Sequence, residues 1–303
     1  MPKRFKRRVA PALAALLLLA ACMTPALPPG PPAVQANRAA PGSPIDTLTN
    51  TPAVLLWGEV HDNAAQHALR RDALARLLAR GARPVLLMEH FDREQQPTID
   101  RLLAAAEPPT AQALIDAAGG PGWSWPLISP LLDLALQHRL PIVAANVART
   151  DTRRIIREGL APLGFDASVP ADLLAAQTTL IEASHCGLLP AGLAPRMALA
   201  QVARDQFMAQ QLQHALTRSI ASAVSPATSA VPPRVLLLAG NGHVRSDIGV
   251  PRWLGAATRV QTLSVGLLED RGDESRSFDR AITTAAQPRP DPCAAMQAPA
   301  PPR

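Results

Sequence analysis

Glu59 and His61 stand two residues apart in Trp57-Gly58-Glu59-Val60-His61-Asp62-Asn63, directly after the apolar run Ala53-Val54-Leu55-Leu56. A carboxylate and an imidazole at that spacing can exchange a proton with a substrate, or can bind a metal ion with a third donor. The same Gly-x-x-His arrangement returns in Gly240-Asn241-Gly242-His243, again behind an apolar run, at 234–239. A third apolar run, Pro84-Val85-Leu86-Leu87-Met88, gives way to Glu89-His90-Phe91-Asp92. Glu59, His61, Glu89, His90, Asn241 and His243 thus form an inventory suited to zinc or iron, or to general acid and base work. Spacing alone leaves a third option open, in which each histidine is hydrogen-bonded structure.

His185 joins the candidates because it lies beside Cys186-Gly187 in a break between helical segments. His67 follows His61 on the first helix, where it could approach the same crevice, although an exposed helical residue is the first reading. His138 and His214 end helices, where an imidazole complements the helix dipole. Nucleophilic hydrolysis and nucleotide binding find no support, because the chain has no Gly-x-Ser-x-Gly elbow, Walker loop or Gly-x-Gly-x-x-Gly turn.

These residues need a frame that brings strand ends together. The apolar runs at 53–57, 84–88, 141–145, 234–239 and 260–268 have strand length. Helical periodicity fills the intervals at 64–80, 98–106, 110–118, 131–136, 152–160, 171–183 and 196–216. Strands alternating with helices imply a three-layer α/β fold, with a mostly parallel central sheet and helices on both faces. Such sheets place ligands at the carboxyl edges of their strands, where the Gly-x-x-His segments fall. A domain over 51–286 is expected, with a surface loop at 217–233 and a Pro-rich tail over 287–303. Cys186 and Cys293 either form a disulfide or remain a buried thiol and a loose tail residue.

Residues 1–21 read as a signal peptide: Lys3, Arg4, Lys6, Arg7 and Arg8 precede an apolar segment at 10–21. That segment is too short to cross a hydrocarbon core of roughly 30 Å. Leu19-Ala20-Ala21-Cys22 matches a lipobox, so Cys22 is the expected lipidation site, and Met23 after it favours the outer membrane. The Pro- and Ala-rich stretch 22–50 would serve as a tether. Five of the 30 basic residues leave with the leader and no acidic residue does, which lowers the formal charge from +6 to +1. The mature chain therefore has no basic surplus for nucleic acid.

Taken together, Trp57 to Asn63, Met88-Glu89-His90-Phe91-Asp92, His185-Cys186-Gly187, Ala200-Gln201 with Arg204-Asp205, and Ala239 to His243 through Gly249-Val250-Pro251 resemble the ChaN-type haem-binding lipoproteins. The likeness covers roughly residues 50–270. It implies the three-layer fold and haem bound at the bacterial surface or in the periplasm. It also implies a part in iron uptake with an outer-membrane receptor as partner, and haem held between the subunits of a homodimer. Through the related Tiki-type metal-dependent peptidases it implies an alternative, a zinc or manganese hydrolase with His61 and His243 as metal ligands and Glu59 or Glu89 as general base. One departure stands out: haem ligation in the family is associated with tyrosine, and this chain has none. An axial ligand must then be His, Met or Cys, while Trp123, Trp125 and Leu127 are apolar residues that could pack on a porphyrin.

Overall fold

A computed structural model describes residues 53–222, 233–269 and 273–297. The expected leader, the expected lipidation site Cys22 and the expected tether lie outside the described residues. The elements are β1 (Val54–Trp57), α1 (Ala64–Ala79), β2 (Val85–Asp92), α2 (Gln96–Leu103), α3 (Ala111–Ala118), α4 (Trp125–Gln137), β3 (Ile142–Asn146), α5 (Arg149–Glu158), α6 (Ala171–Ser184), α7 (Leu193–Ser222), β4 (Val235–Leu238), α8 (Asn241–Val244), α9 (Ala256–Arg259), β5 (Thr262–Leu268), β6 (Arg280–Thr283) and α10 (Pro292–Gln297).

The six strands form one sheet in the order β3-β2-β4-β1-β5-β6, and every pairing is parallel. Alternation of side chains along each strand divides the core in two. Leu55, Trp57, Leu86, Met88, Leu236 and Leu238 face α1 to α4 on one side. Val54, Leu56, Leu87, Val235 and Leu237 meet Met208, Leu212 and Leu216 of α7 on the other. The three-layer parallel α/β arrangement expected from the sequence is the one found.

The register explains why the polar segments meet. Trp57 of β1 and Met88 of β2 both pair with Leu238 of β4, which lies between them. Gly58, Glu89 and Ala239 therefore follow at one level, and Glu59, His90 and Gly240 one step beyond. β1 and β4, whose paired residues are 181 apart in sequence, thus deliver their carboxyl ends side by side. No helix among the described residues is long and apolar enough to cross a membrane.

Two local features depart from expectation. β2 does not stop at Met88 but runs through Glu89 to Asp92, with a shift in its pairing to β3 between Met88 and Asp92. Glu89 and His90 therefore sit on a strand extension. α7 also continues to Ser222, into the stretch expected as a loop. The open edge of β3 is covered by a side chain: Gln96 Oε1 accepts from Ala144 N at 2.6 Å, and Gln96 Nε2 donates to Ile142 O at 3.1 Å. An edge strand otherwise presents unpaired backbone groups to other chains.

Candidate functional site

Side chains packed directly on two glycines assemble the crevice. A Cβ on Gly58 would stand 2.3 Å from Asn241 Oδ1 and 2.7 Å from Val244 Cγ2. One on Gly240 would stand 2.8 Å from His61 Cε1 and 3.1 Å from its Nε2. At such distances something must shift, so glycine at these two positions leaves room for the side chains of Asn241, Val244 and His61 at the ends of β1 and β4. After Val60, Asn63 caps α1 by accepting from Gln66 N at 3.1 Å. Its Nδ2 donates to Glu269 Oε1 at 2.6 Å and to Ala285 O at 2.9 Å.

Glu59 is the centre of the first cluster, and its side chain is fully buried. Oε1 accepts from His61 Nδ1 at 2.9 Å. Oε2 lies 2.8 Å from both His67 Nε2 and Arg70 Nη2, as ion-pair contacts whose angles are not those of hydrogen bonds. His90 Nε2 is 3.7 Å from Oε1. Burial opposes the charge on Glu59, yet the Arg70 guanidinium and its imidazole partners hold its carboxyl far below the usual range. Arg70 is itself buried, and its Nε and Nη1 have no hydrogen-bond partner, so Glu59 is its main compensation.

The histidines around Glu59 differ in access. His61 has 52% of its side chain exposed, and with Nδ1 on Glu59 its Nε2 has no protein partner among the described residues. Burial pulls its pKa down, but the Glu59 hydrogen bond and the nearby Glu89 charge outweigh that and raise it. His90 is buried with both nitrogens unpartnered, under Trp123 at 4.7 Å between ring centroids. Burial lowers its pKa and keeps it neutral. Trp123 also meets His61 edge-on at 4.9 Å and is half-buried, so it forms a wall of the crevice. Trp125 donates from Nε1 to Gly120 O at 2.9 Å and packs on Phe91, a structural placement.

A second cluster adjoins the first through Gly240. Glu89 Oε2 accepts from Gly240 N at 2.7 Å, and its Oε1 lies 3.3 Å from His243 Nε2. His243 Nδ1 stands 2.6 Å from Asp205 Oδ1 on α7. With a carboxylate at each nitrogen, His243 is an imidazolium: burial opposes that charge, but Glu89 and Asp205 push its pKa up to about 10. Burial raises Asp205 to about 6 despite His243. Burial also acts against ionised Glu89, but His243, His61 and the Gly240 N–H hold it well below the carboxylate range.

The structure therefore brings Glu59, His61, Glu89, His90 and His243 together. Asn241 stands at the same edge, but its amide is committed to β5, donating to Leu267 O at 2.7 Å and accepting from Leu267 N at 3.1 Å. His185 caps α6 instead; its hydrogen-bond partners are Ile181 O and Ser184 Oγ, neither of them in the crevice. Cys186 beside it is joined to Cys293 in a disulfide with a Cα separation of 5.6 Å.

His67 corrects an expectation, since it is 4% exposed and meets Glu59. Arg70 and Asp205 were not singled out as site residues. Both carry a signal, because each interrupts a buried helical stripe: Gln66, His67 and Arg70 precede Ala73, Leu74 and Leu77 on α1, and Asp205 lies between Val202 and Met208 on α7. A charge on such a stripe needs a buried partner.

Among the described residues no group of three or more His, Cys, Asp and Glu side chains is arranged to hold a metal ion. His61 Nδ1 and both His243 nitrogens are already turned to carboxylates.

Fold and site define an α/β protein with a histidine- and carboxylate-lined crevice at the carboxyl edge of three adjacent strands. The sequence profile described as "Haem-binding uptake, Tiki superfamily, ChaN" matches residues 45–254, and the chain belongs to that family. No curated protein matches the chain. Among solved structures the chain is similar in fold to ChaN of Campylobacter jejuni, described with cofacial haem binding. The TM-score is 0.62, with 20% identity over 78% of this chain and 89% of that one. The type III effector HopBA1 matches over 82% of this chain and 97% of its own, at a TM-score of 0.43 and 14% identity, too slight a likeness to argue from.

Proposed function

We propose that this protein binds haem with His61 Nε2 as the axial donor, and that it acts in iron uptake as a lipoprotein. The observation that carries the reading is the access of His61. Of the crevice imidazoles, His67 and His90 are buried, and His243 is held between two carboxylates. His61 alone combines a half-exposed side chain with a ring nitrogen that has no protein partner among the described residues, with Trp123 beside it as an apolar flank. In a chain without tyrosine, that imidazole is the donor the crevice offers. Haem, when bound, supplies an iron centre with an open coordination position and a large apolar face. The protein's share would be to present Nε2 from a ring held by Glu59, with Trp123 as an apolar neighbour, and to keep His90 and Glu59 out of water. Family membership and the haem-bound ChaN neighbour support the ligand class. The lipobox at Cys22 supports anchoring in the outer membrane, facing the periplasm or the surface, where an uptake receptor and a second copy of the chain are the expected partners.

The test uses the mature chain with Cys22 replaced by Ser and the leader removed. Haemin is titrated and the Soret band followed, and metal content is measured on the protein as purified. Saturable binding in the wild type, lost in His61→Ala, is the expected result. Absence of a Soret change together with stoichiometric zinc or manganese overturns it.

A further inference from the structure

We infer that Glu59 is a positioning residue for His61 that biases the crevice toward ferric over ferrous iron porphyrin; this rests on His61 being the axial donor. An ionised carboxylate can only accept, so the 2.9 Å contact with Glu59 Oε1 places the ring proton of His61 on Nδ1. In the neutral ring the lone pair then resides on Nε2, the nitrogen without a protein partner, and iron binding releases to solvent the Nε2 proton that the imidazolium carries. A carboxylate drawing on Nδ1–H also makes Nε2 a stronger donor.

Glu59 cannot turn away from this task. Its second oxygen is held at 2.8 Å by both Arg70 and His67, and its side chain has no contact with solvent. Glu59 and Glu89 are buried carboxylates next to His61, balanced by Arg70 and the His243 imidazolium, and Glu59 is the one hydrogen-bonded to the His61 ring. Ferric porphyrin carries one more positive charge than ferrous, so the stronger Nε2 donor that Glu59 produces favours the ferric form. Arg70 moderates the field from the far side of Glu59, whereas nothing stands between Glu59 and the Nδ1 proton.

The experiment compares haemin-loaded wild type with Glu59→Gln, Glu59→Asp and His61→Ala. It reads the midpoint potential by spectroelectrochemical titration, and the iron–imidazole stretch of the ferrous form by resonance Raman. Glu59→Gln is expected to shift the potential positive, to lower the stretching frequency, and to weaken ferric haem binding by about 10- to 100-fold. Glu59→Asp keeps a charge opposite Arg70 while withdrawing it from His61, so it provides the reading if Glu59→Gln does not fold; a smaller positive shift is expected. Wild-type potential and stretch in every Glu59 variant that folds, with binding lost in His61→Ala, overturns the role of Glu59 alone. Retention of haem with unaltered spectra in His61→Ala overturns the ligand assignment itself.

Discussion

Replacing His243 by Gln should change how stability depends on pH. In the folded chain His243 sits between Glu89 and Asp205 with its pKa pushed up to about 10, against about 6.5 for an unperturbed histidine. Between those values the folded state holds a proton that the unfolded chain has released. Its stabilisation is complete below about pH 6.5 and is lost as pH rises toward 10. One such group contributes a slope of at most about 1.4 kcal/mol per pH unit. The Gln variant removes that slope and also leaves two buried carboxylates without their cation, which costs about 3–5 kcal/mol near pH 7. Asp205, raised to about 6, adds stability at acid pH that fades as pH climbs through that value. Glu59 and Glu89, both lowered, contribute stability that disappears as pH falls below the usual carboxylate range. The wild type should therefore be most stable at mildly acidic pH. Urea unfolding followed by circular dichroism at pH 6.5, 8 and 9.5, with the disulfide oxidised, measures the effect. Parallel pH dependences for wild type and variant over that range would refute the assignment of the proton to His243.

Other substitutions probe the frame around the site. Gly58→Ala forces a methyl group against Asn241 and Val244 and should destabilise by about 1–3 kcal/mol in urea titration, with Asn241 displaced from Leu267; an unchanged midpoint would show that the β1–β4 approach is looser than described. The Cys186–Cys293 disulfide spans 107 residues and ends a segment in which Arg289 contacts Asp62 at 2.5 Å and Glu269 at 2.7 Å. Its reduction should cost about 2–5 kcal/mol, measured as the difference in unfolding free energy with and without reductant. Gln96→Ala removes two hydrogen bonds from the open edge of β3, each worth about 0.5–1.5 kcal/mol, and should promote self-association detectable by light scattering; a monodisperse variant of wild-type stability contradicts the edge-covering role.

The fold was legible because its strands are short apolar runs ending in glycine or polar residues, and because the intervening helices carry clear periodicity. Five strands were anticipated near their observed positions; β6, Arg280–Thr283, was not, since its residues are mostly exposed and leave no apolar run. The extension of β2 was hidden for a related reason. Glu89 and Asp92 look like the end of a strand, whereas their neighbours Phe91 and His90 are buried against Trp125 and Trp123. Within the site, the paired Gly-x-x-His segments pointed to the right edge of the sheet. Charge compensation was harder to read: Arg70 and Asp205 reach the crevice from helices, and their partners are set by packing rather than by sequence separation. His185 shows the converse, since its motif-like setting beside Cys186 serves a helix end and a disulfide.

In this reading of the crevice, His61 supplies the axial nitrogen. The most direct measurement is haemin affinity of His61→Gly with and without added imidazole. Removing the ring leaves Glu59 and Trp123 around the vacated space, which free imidazole can enter. Loss of binding in the variant, restored together with the wild-type Soret band by imidazole, is the predicted result. Wild-type affinity in the variant without imidazole would contradict the account.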